Sequence, residues 1–543
     1  MESWFVIVIS LCIGLMVRSI LLAASSSNTK TKGNKINLPP GPRTFPIIGN
    51  ISLLRKSSTE IEAILRNIHR KYGPVVSIRI AHRPAVFVAD RTLAHQALVQ
   101  NGAVFADRPP AAPTNRFLSS NQHSISSAAY GPTWRLLRRN LTANILHPSR
   151  ISSFSNARRW VLQLLLDRLL VTSSDITSTS STNGVCVKEH FQYAMFCLLV
   201  LMCFGDKLDE PKIKDIETVQ RRLLLRLRRF NILNFWPKIT KILLRKRWQE
   251  LLQLRQDQED VLAPLIEARR NKAESDSVSD SESESIVCYV DTLLDLRLPA
   301  DVKEREKEMS RKLEMSEMVS LCSEFLNAGT DTTSTALEWI MANIVKHPRI
   351  QDKLYAEIKQ VVGSKQQEEE EEEVGRVVVE EEDLRKMAYL KAVVLEGLRR
   401  HPPGHFVLPH AVTEEEVVLG GHAVPKEASI NFMVADIGWD PSVWEDPMAF
   451  KPERFLGNGG EVVEMITGSK EIKMMPFGAG RRICPGHGLA ILHLEYFVAN
   501  LVWSFEWNYK ASASADEVDL SEKQEFTTVM KYPLKARLSP RSP

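Results

Sequence analysis

One short segment, Pro476 to Gly486 (PFGAGRRICPG), constrains this 543-residue chain more than any other. Glycines at that density let a backbone take turns closed to other residues and approach a bulky partner closely. Arg481 and Arg482 supply forked cationic donors, and Cys484 supplies a soft ligand or nucleophile. Pro485 falls where the first helical position is expected, before an apolar run from Gly488 to Phe505 that reads as a helix. Cys484 is thereby expected at a helix N-terminus, where free N–H groups and the dipole favour a thiolate. A flat, anionic, metal-bearing partner would engage the glycines, the arginines and the sulfur together. The plain alternative is an inert buried cysteine, which leaves the glycines and arginines unexplained. Gly478-x-Gly480 has no glycine three residues on and follows no parallel-strand unit, so it is not a dinucleotide fingerprint. No P-loop and no G-x-S-x-G elbow occurs elsewhere.

A second stretch breaks local rules. Leu321 to Pro348 reads as a long helix ended by proline, yet Ala328 to Thr335 (AGTDTTST) fills its middle with poor helix formers. Hydroxyls there can bond back to earlier carbonyls and bend the helix. Giving up helix stability at one place marks a candidate functional site, and the apolar flanks argue against a solvated polar stripe. In LEGLRRHPP, Glu396 and Arg399 stand three apart and can pair on one helix face.

The pattern Phe477-x-x-Gly480-x-Arg482-x-Cys484-x-Gly486 resembles the haem-binding signature of the cytochrome P450 family at every fixed position, and the wording resembles the plant microsomal branch. The resemblance runs along nearly the whole chain after its first residues. It implies a fold that is mainly α with a small β region, and heme b with Cys484 as the axial ligand to iron. Thiolate ligation favours O–O cleavage. Arg482 would partner a haem propionate, Phe477 would shield the sulfur, and Gly480 and Gly486 complete the loop. Trp134 and Arg138 in WRLLRRN, and His410, would contact propionates. Ala328-Gly329-x-Asp331-Thr332 resembles the oxygen-side motif: Gly329 leaves room for dioxygen, Thr332 hydrogen-bonds the reacting oxygen, and Asp331 relays protons inward. Glu396, Arg399 and Arg454 (FKPERF) resemble a structural trio locking the haem-side core.

The implied activity inserts one atom of dioxygen into an organic, largely apolar plant metabolite. Its electrons would come from a separate NADPH-cytochrome P450 reductase, met by a basic face of Arg135, Arg138, Arg139 and the cysteine loop. Two rivals stand beside it: a haem-thiolate isomerase or dehydratase acting on peroxides, and a non-catalytic haem sensor. The intact Asp331-Thr332 pair speaks against the first.

The rest of the sequence bounds location. Trp4 to Ala24 is almost wholly apolar and long enough to span a bilayer. Met1-Glu2 lacks the basic start of a cleaved signal, and Lys30, Lys32, Lys35 and Arg43 follow the span, which favours a cytosolic body. We therefore expect a single-pass anchor over 1–25, a linker and proline-rich hinge over 26–50, and one catalytic domain over 51–543 at the endoplasmic reticulum. Glycosylation of either sequon, at Asn50 or Asn140, would contradict that orientation. A formal net charge of +4 is too small to argue for nucleic acid, and seven scattered cysteines suggest neither zinc nor disulfides. Arg221 to Arg247 carries many Lys and Arg, no acidic residue, and interleaved apolar and aromatic groups, the composition of a segment lying on anionic lipid or of a solvated helix face. Ser275–Ser285 and Glu368–Glu373 read as solvated acidic insertions.

Overall fold

The computed structural model describes residues 37–43, 50, 56–80, 83–178, 184–234, 237–276, 286–299, 310–366, 378–457, 459, 461–462, 466, 468–509 and 517–541, with isolated positions between 10 and 18. The expected anchor and most of both acidic insertions, together with Phe235 and Trp236, lie outside the described residues. The chain divides into two compact units.

The smaller unit comprises Met1–Pro109, Phe406–Met433 and Gly468–Ile472. Two runs rich in β-formers make a hairpin, Val75–Ile80 against Arg83–Val88, with Val75 opposite Val88. Ser429–Phe432 extends it in parallel on the Arg83–Val88 side. Helix Ser58–Tyr72 starts at a capping box of Ser57 and Glu60 and buries Leu65 with Ile78 and Met433. The described part of the proline-rich stretch, 37–43, is hydrogen-bonded to this sheet. Ser77 donates its N–H to the Pro40 carbonyl at 2.8 Å and its hydroxyl to Pro39 at 2.6 Å. A Cβ at Gly41 would run into the Ser77 carbonyl, so glycine is required where the two backbones meet.

The larger unit comprises Pro110–His405, Val434–Thr467 and Lys473–Pro543, and it is mainly helical. At its core is an unbroken helix, Met315–Lys346, longer than predicted and buried over most of its length. It packs with Val187–Phe204, Ala388–Arg400 and His487–Ser504 in one hydrophobic cluster. Val187–Phe204 is long and apolar enough to cross a bilayer, but it is buried inside this unit as a core helix. Two glycines set the spacing around the central helix. A Cβ at Gly329 would stand 2.5 Å from Leu199 Cδ1, and one at Gly397 would collide with Ile340.

Short strands that helical spacing does not announce close the unit. Val185–Cys186, Phe505–Tyr509 and Lys535–Pro540 make one sheet, and Glu522–Gln524 pairs with Thr528–Met530 in a hairpin. That hairpin is tied to the central helix: Trp339 Nε1 donates to the Thr528 carbonyl at 2.8 Å, and Thr335 Oγ1 lies 2.9 Å from Thr527 Oγ1. Glu396 and Arg399 form a fully buried bidentate pair at 2.7 and 2.8 Å, and Arg454 Nε donates to the same carboxylate at 3.1 Å. Arg399 also donates to the carbonyls of Gly438 and Pro447, so this buried charge is saturated with partners.

Candidate active site

In the cysteine loop, Gly478 (φ 71°) and Gly480 (φ 68°) occupy left-handed backbone, which explains glycine at both. The Cys484 N–H donates to the Phe477 carbonyl at 2.8 Å and closes the loop, while Gly480–Arg482 forms a single 3-10 turn. Helix His487–Ser504 begins later than expected, with Gly486 as its cap. Pro485 therefore lies outside the helix, and Cys484 sits two residues before the cap. Burial raises the Cys484 thiol, while the Gly486 amide and the Arg138 guanidinium pull it the other way. The expected depression by a helix end is thus outweighed by desolvation in the chain alone.

Gly486 has a φ of −91°, and a Cβ there would meet nothing within 4 Å among the described residues, as is also true of Gly488. Neither backbone strain nor packing among the described residues demands glycine at this position, so the loop leaves room there.

Helix Pro132–Asn144 supplies the next wall. Arg482 is held by the carbonyls of Ile125 and Ala128, at 3.3 and 2.6 Å, and its guanidinium lies 4.5 Å from the Trp134 ring centre. The Trp134 Nε1–H is buried without an acceptor among the described residues. The Arg138 guanidinium is half-buried with no carboxylate partner among the described residues; burial lowers it, and the Cys484 sulfur opposes that shift. An orphan indole donor and an unpaired guanidinium beside a loop that leaves room at Gly486 are what a flat group with carboxylate arms would satisfy. The residues fit haem. His410 belongs to the smaller unit, where it is buried and its Nδ1 lies 2.7 Å from the Phe105 carbonyl.

The oxygen-side motif lies on the central helix. Ala328 is exposed and Gly329 and Thr332 are half-buried, in a helix otherwise buried around them. Thr332 Oγ1 donates to the Ala328 carbonyl at 2.6 Å and Ser334 Oγ to Thr330 at 2.8 Å, the back-bonding expected of hydroxyls here. The close Leu199 Cδ1 contact means that a larger residue at 329 must displace a buried side chain, a packing reason for glycine that the sequence does not display. Asp331 is buried and paired with Arg221, 3.2 Å away on helix Glu210–Phe230. Burial raises its carboxyl, and Arg221 then lowers it. The sequence reading missed this partner, which lies 110 residues away with no local signal.

Comparison with known proteins establishes the family. The sequence model for cytochrome P450 matches residues 39–536. This chain belongs to the cytochrome P450 family. It is 49% identical to cytochrome P450 89A9 of Arabidopsis thaliana, over 93% of this chain and 94% of that protein. It is 27% identical to the flavonoid 3'-monooxygenase of the same plant, over 95% and 94% of the two chains. A zebra fish cytochrome P450 solved with progesterone shares the fold, with a TM-score of 0.67 at 21% identity, covering 89% of this chain and 99% of that one. The chain is thus a plant cytochrome P450 and an oxygen-incorporating oxidoreductase, whose family carries haem ligated by a cysteine thiolate. Members of this family act on small molecules and take electrons from a redox partner.

Proposed function

We propose that this protein is a membrane-anchored monooxygenase with Cys484 as its axial ligand, oxidising an organic, largely apolar plant metabolite with electrons from NADPH-cytochrome P450 reductase. The observation that carries the reading is the loop closed by Cys484 N–H and Phe477, beside the unpaired donors of Trp134 and Arg138. When bound, haem supplies oxygen activation, which thiolate ligation promotes.

The chain's own residues do the rest. Trp134 Nε1 and Arg138 offer charge-assisted donors to carboxylates, and Arg482, fixed by two carbonyls and by stacking on Trp134, supports that face. Gly480 and Gly486 shape the loop, and the Phe477 ring, 6.2 Å from that of His487, helps keep the sulfur dry. Asp331, a buried carboxyl raised by desolvation, would relay protons to the neighbouring Thr332 hydroxyl, the acid–alcohol pair that stepwise proton delivery needs. Glu396, Arg399 and Arg454 hold the fold beneath. Arg135 and Arg481, whose guanidiniums lie 5.0 and 5.9 Å from the Tyr130 ring centre, belong to the face offered to the reductase.

Membrane contact is supported by more than the sequence of the first residues. Ile239, Ile242 and Leu243 on helix Pro237–Leu243 are 53, 78 and 75% exposed. Lys238, Lys241, Arg245 and Lys246 are exposed among them. The first half of the basic stretch is different: Arg222 pairs with Asp257, and Arg226 and Arg229 pair with Glu250. The lipid-facing part is therefore the exposed side of helix Pro237–Leu243 with Arg245 and Lys246, not the whole of Arg221–Arg247. Asn140 offers no test of orientation, because its buried amide bonds Thr292 and Asn144.

The deciding experiment reduces the purified full-length protein and adds carbon monoxide. A thiolate-type band that is lost in Cys484→Ser is expected. Consumption of NADPH and dioxygen once reductase is added separates this reading from a peroxide isomerase, which turns over a hydroperoxide without either.

A further inference from the structure

One carboxylate on the central helix has no part in the chemistry above. Glu324 lies one turn before Ala328 and two before Thr332, so the three share a side of the helix. It is half-buried, as Gly329 and Thr332 are. A carboxylate in so apolar a helix is costly unless its oxygens find donors. Glu324 forms no ion pair among the described residues. Its oxygens instead accept the N–H groups of two consecutive residues, Oε2 from Ile125 at 2.8 Å and Oε1 from Ser126 at 2.7 Å.

The turn held in this way also meets the cysteine loop. It is closed by the Ala128 N–H, which donates to the Ser124 carbonyl at 2.9 Å, and Ser124 Oγ lies 2.7 Å from Ser127 Oγ. Arg482 donates to two of its carbonyls, those of Ile125 and Ala128. The Ile125 carbonyl and the Ser126 N–H belong to one planar peptide unit. That unit has a guanidinium at its oxygen and a carboxylate at its hydrogen. Hydrogen bonds in series polarise one another, so a carboxylate drawing on the N–H makes the carbonyl a stronger acceptor.

We infer that Glu324 is a positioning residue for Arg482: through the Ile125–Ser126 peptide it fixes the guanidinium that would partner a haem propionate. The inference rests on the haem-thiolate reading above. Glu324 thereby ties the helix that carries the oxygen-side motif to the loop that carries the sulfur. A carboxylate that only stabilised the turn would leave the guanidinium's contacts unchanged on removal.

The test uses the full-length holoenzyme. Glu324→Gln keeps the shape but turns an NH2 group toward one of the two N–H donors, which breaks one bond and removes the charge. Transfer of haem to an excess of a haem-scavenging apoprotein should quicken roughly tenfold. The propionate bending band in the resonance Raman spectrum should shift. In a background of Arg482→Lys, Glu324→Gln should add less than about twofold to the transfer rate, because both changes act on the same contact. Glu317→Gln is the control. It lies on the same helix and frees His123, 2.6 Å away and just before the turn, without touching Ile125 or Ser126. It should leave the propionate band in place and combine multiplicatively with Arg482→Lys. An unshifted band in Glu324→Gln, or full multiplication of its effect with that of Arg482→Lys, would overturn the inference. If Arg482→Lys retains no haem, the bands of the two glutamate variants decide. If Glu324→Gln does not fold, Glu324→Asp replaces it: its carboxylate draws back by one methylene, and the same band should shift. The carbon monoxide band is recorded throughout. Its absence from the wild type sinks the haem-thiolate reading, whereas a normal band with an unshifted propionate mode in Glu324→Gln sinks only the positioning role.

Discussion

The cysteine loop and the middle of the central helix are built on opposite principles. The loop is local: its turn glycines, its closing bond from Cys484 to Phe477 and its sulfur fall within eleven residues. The segment Ala328–Thr335 is assembled at a distance. Leu199 explains Gly329, Arg221 holds Asp331, and Thr527 meets Thr335. A loop whose geometry is self-contained can be read from a motif. A helix face whose meaning comes from packing cannot.

The largest expected effect is on the local side. Cys484→Ser should abolish the thiolate-type carbon monoxide band, yet cost the haem-free chain less than about 1 kcal/mol in chemical unfolding, because the loop's backbone bonds survive. A large loss of stability would mean that the sulfur serves the fold.

On the distant side, burial pushes Glu338, two turns beyond Asp331, up to about 7. Its carboxyl accepts the Leu534 N–H at 3.0 Å. Because the folded value lies above the unfolded one, the favourable state is the protonated one. Its contribution is complete below about 4.5 and is lost as pH rises toward 7, a decline of about 3 kcal/mol. Unfolding midpoints of Glu338→Gln should therefore fall less steeply across that window, and parallel pH profiles would show that Glu338 is not buried as described.

Matched glycine substitutions sharpen the contrast further. Gly329→Ala must displace Leu199 and should cost about 1–3 kcal/mol. Gly486→Ala meets nothing within the chain and should change haem-free stability by less than about 0.5 kcal/mol while lowering haem retention. Equal costs at the two sites would erase the distinction drawn here. The smallest effect belongs to Arg222→Gln, which removes a half-exposed pair with Asp257 worth about 0.2–1 kcal/mol, and salt should shrink it.

Much of this was legible in advance, for specific reasons. Three-residue spacing announces the pair of Glu396 and Arg399. The position of Pro485 misled by two residues, because a proline before a helix can precede its cap as well as follow it. The strands Phe505–Tyr509 and Lys535–Pro540 escaped notice because each gains its partner only across the fold. In sequence Arg221 is one basic residue among many, since nothing near it names Asp331.

By itself the sequence determined the chemistry of the cysteine loop, the helical class of the larger unit and the trio around Glu396, because each depends on residue types at short, regular spacing. Only the tertiary structure decided which carboxyls are buried, which charges in the basic stretch are already paired, and why Gly329 and Gly486 are glycine for different reasons. Burial, desolvation and close packing are properties of neighbours, and neighbours separated by a hundred residues are chosen by the fold.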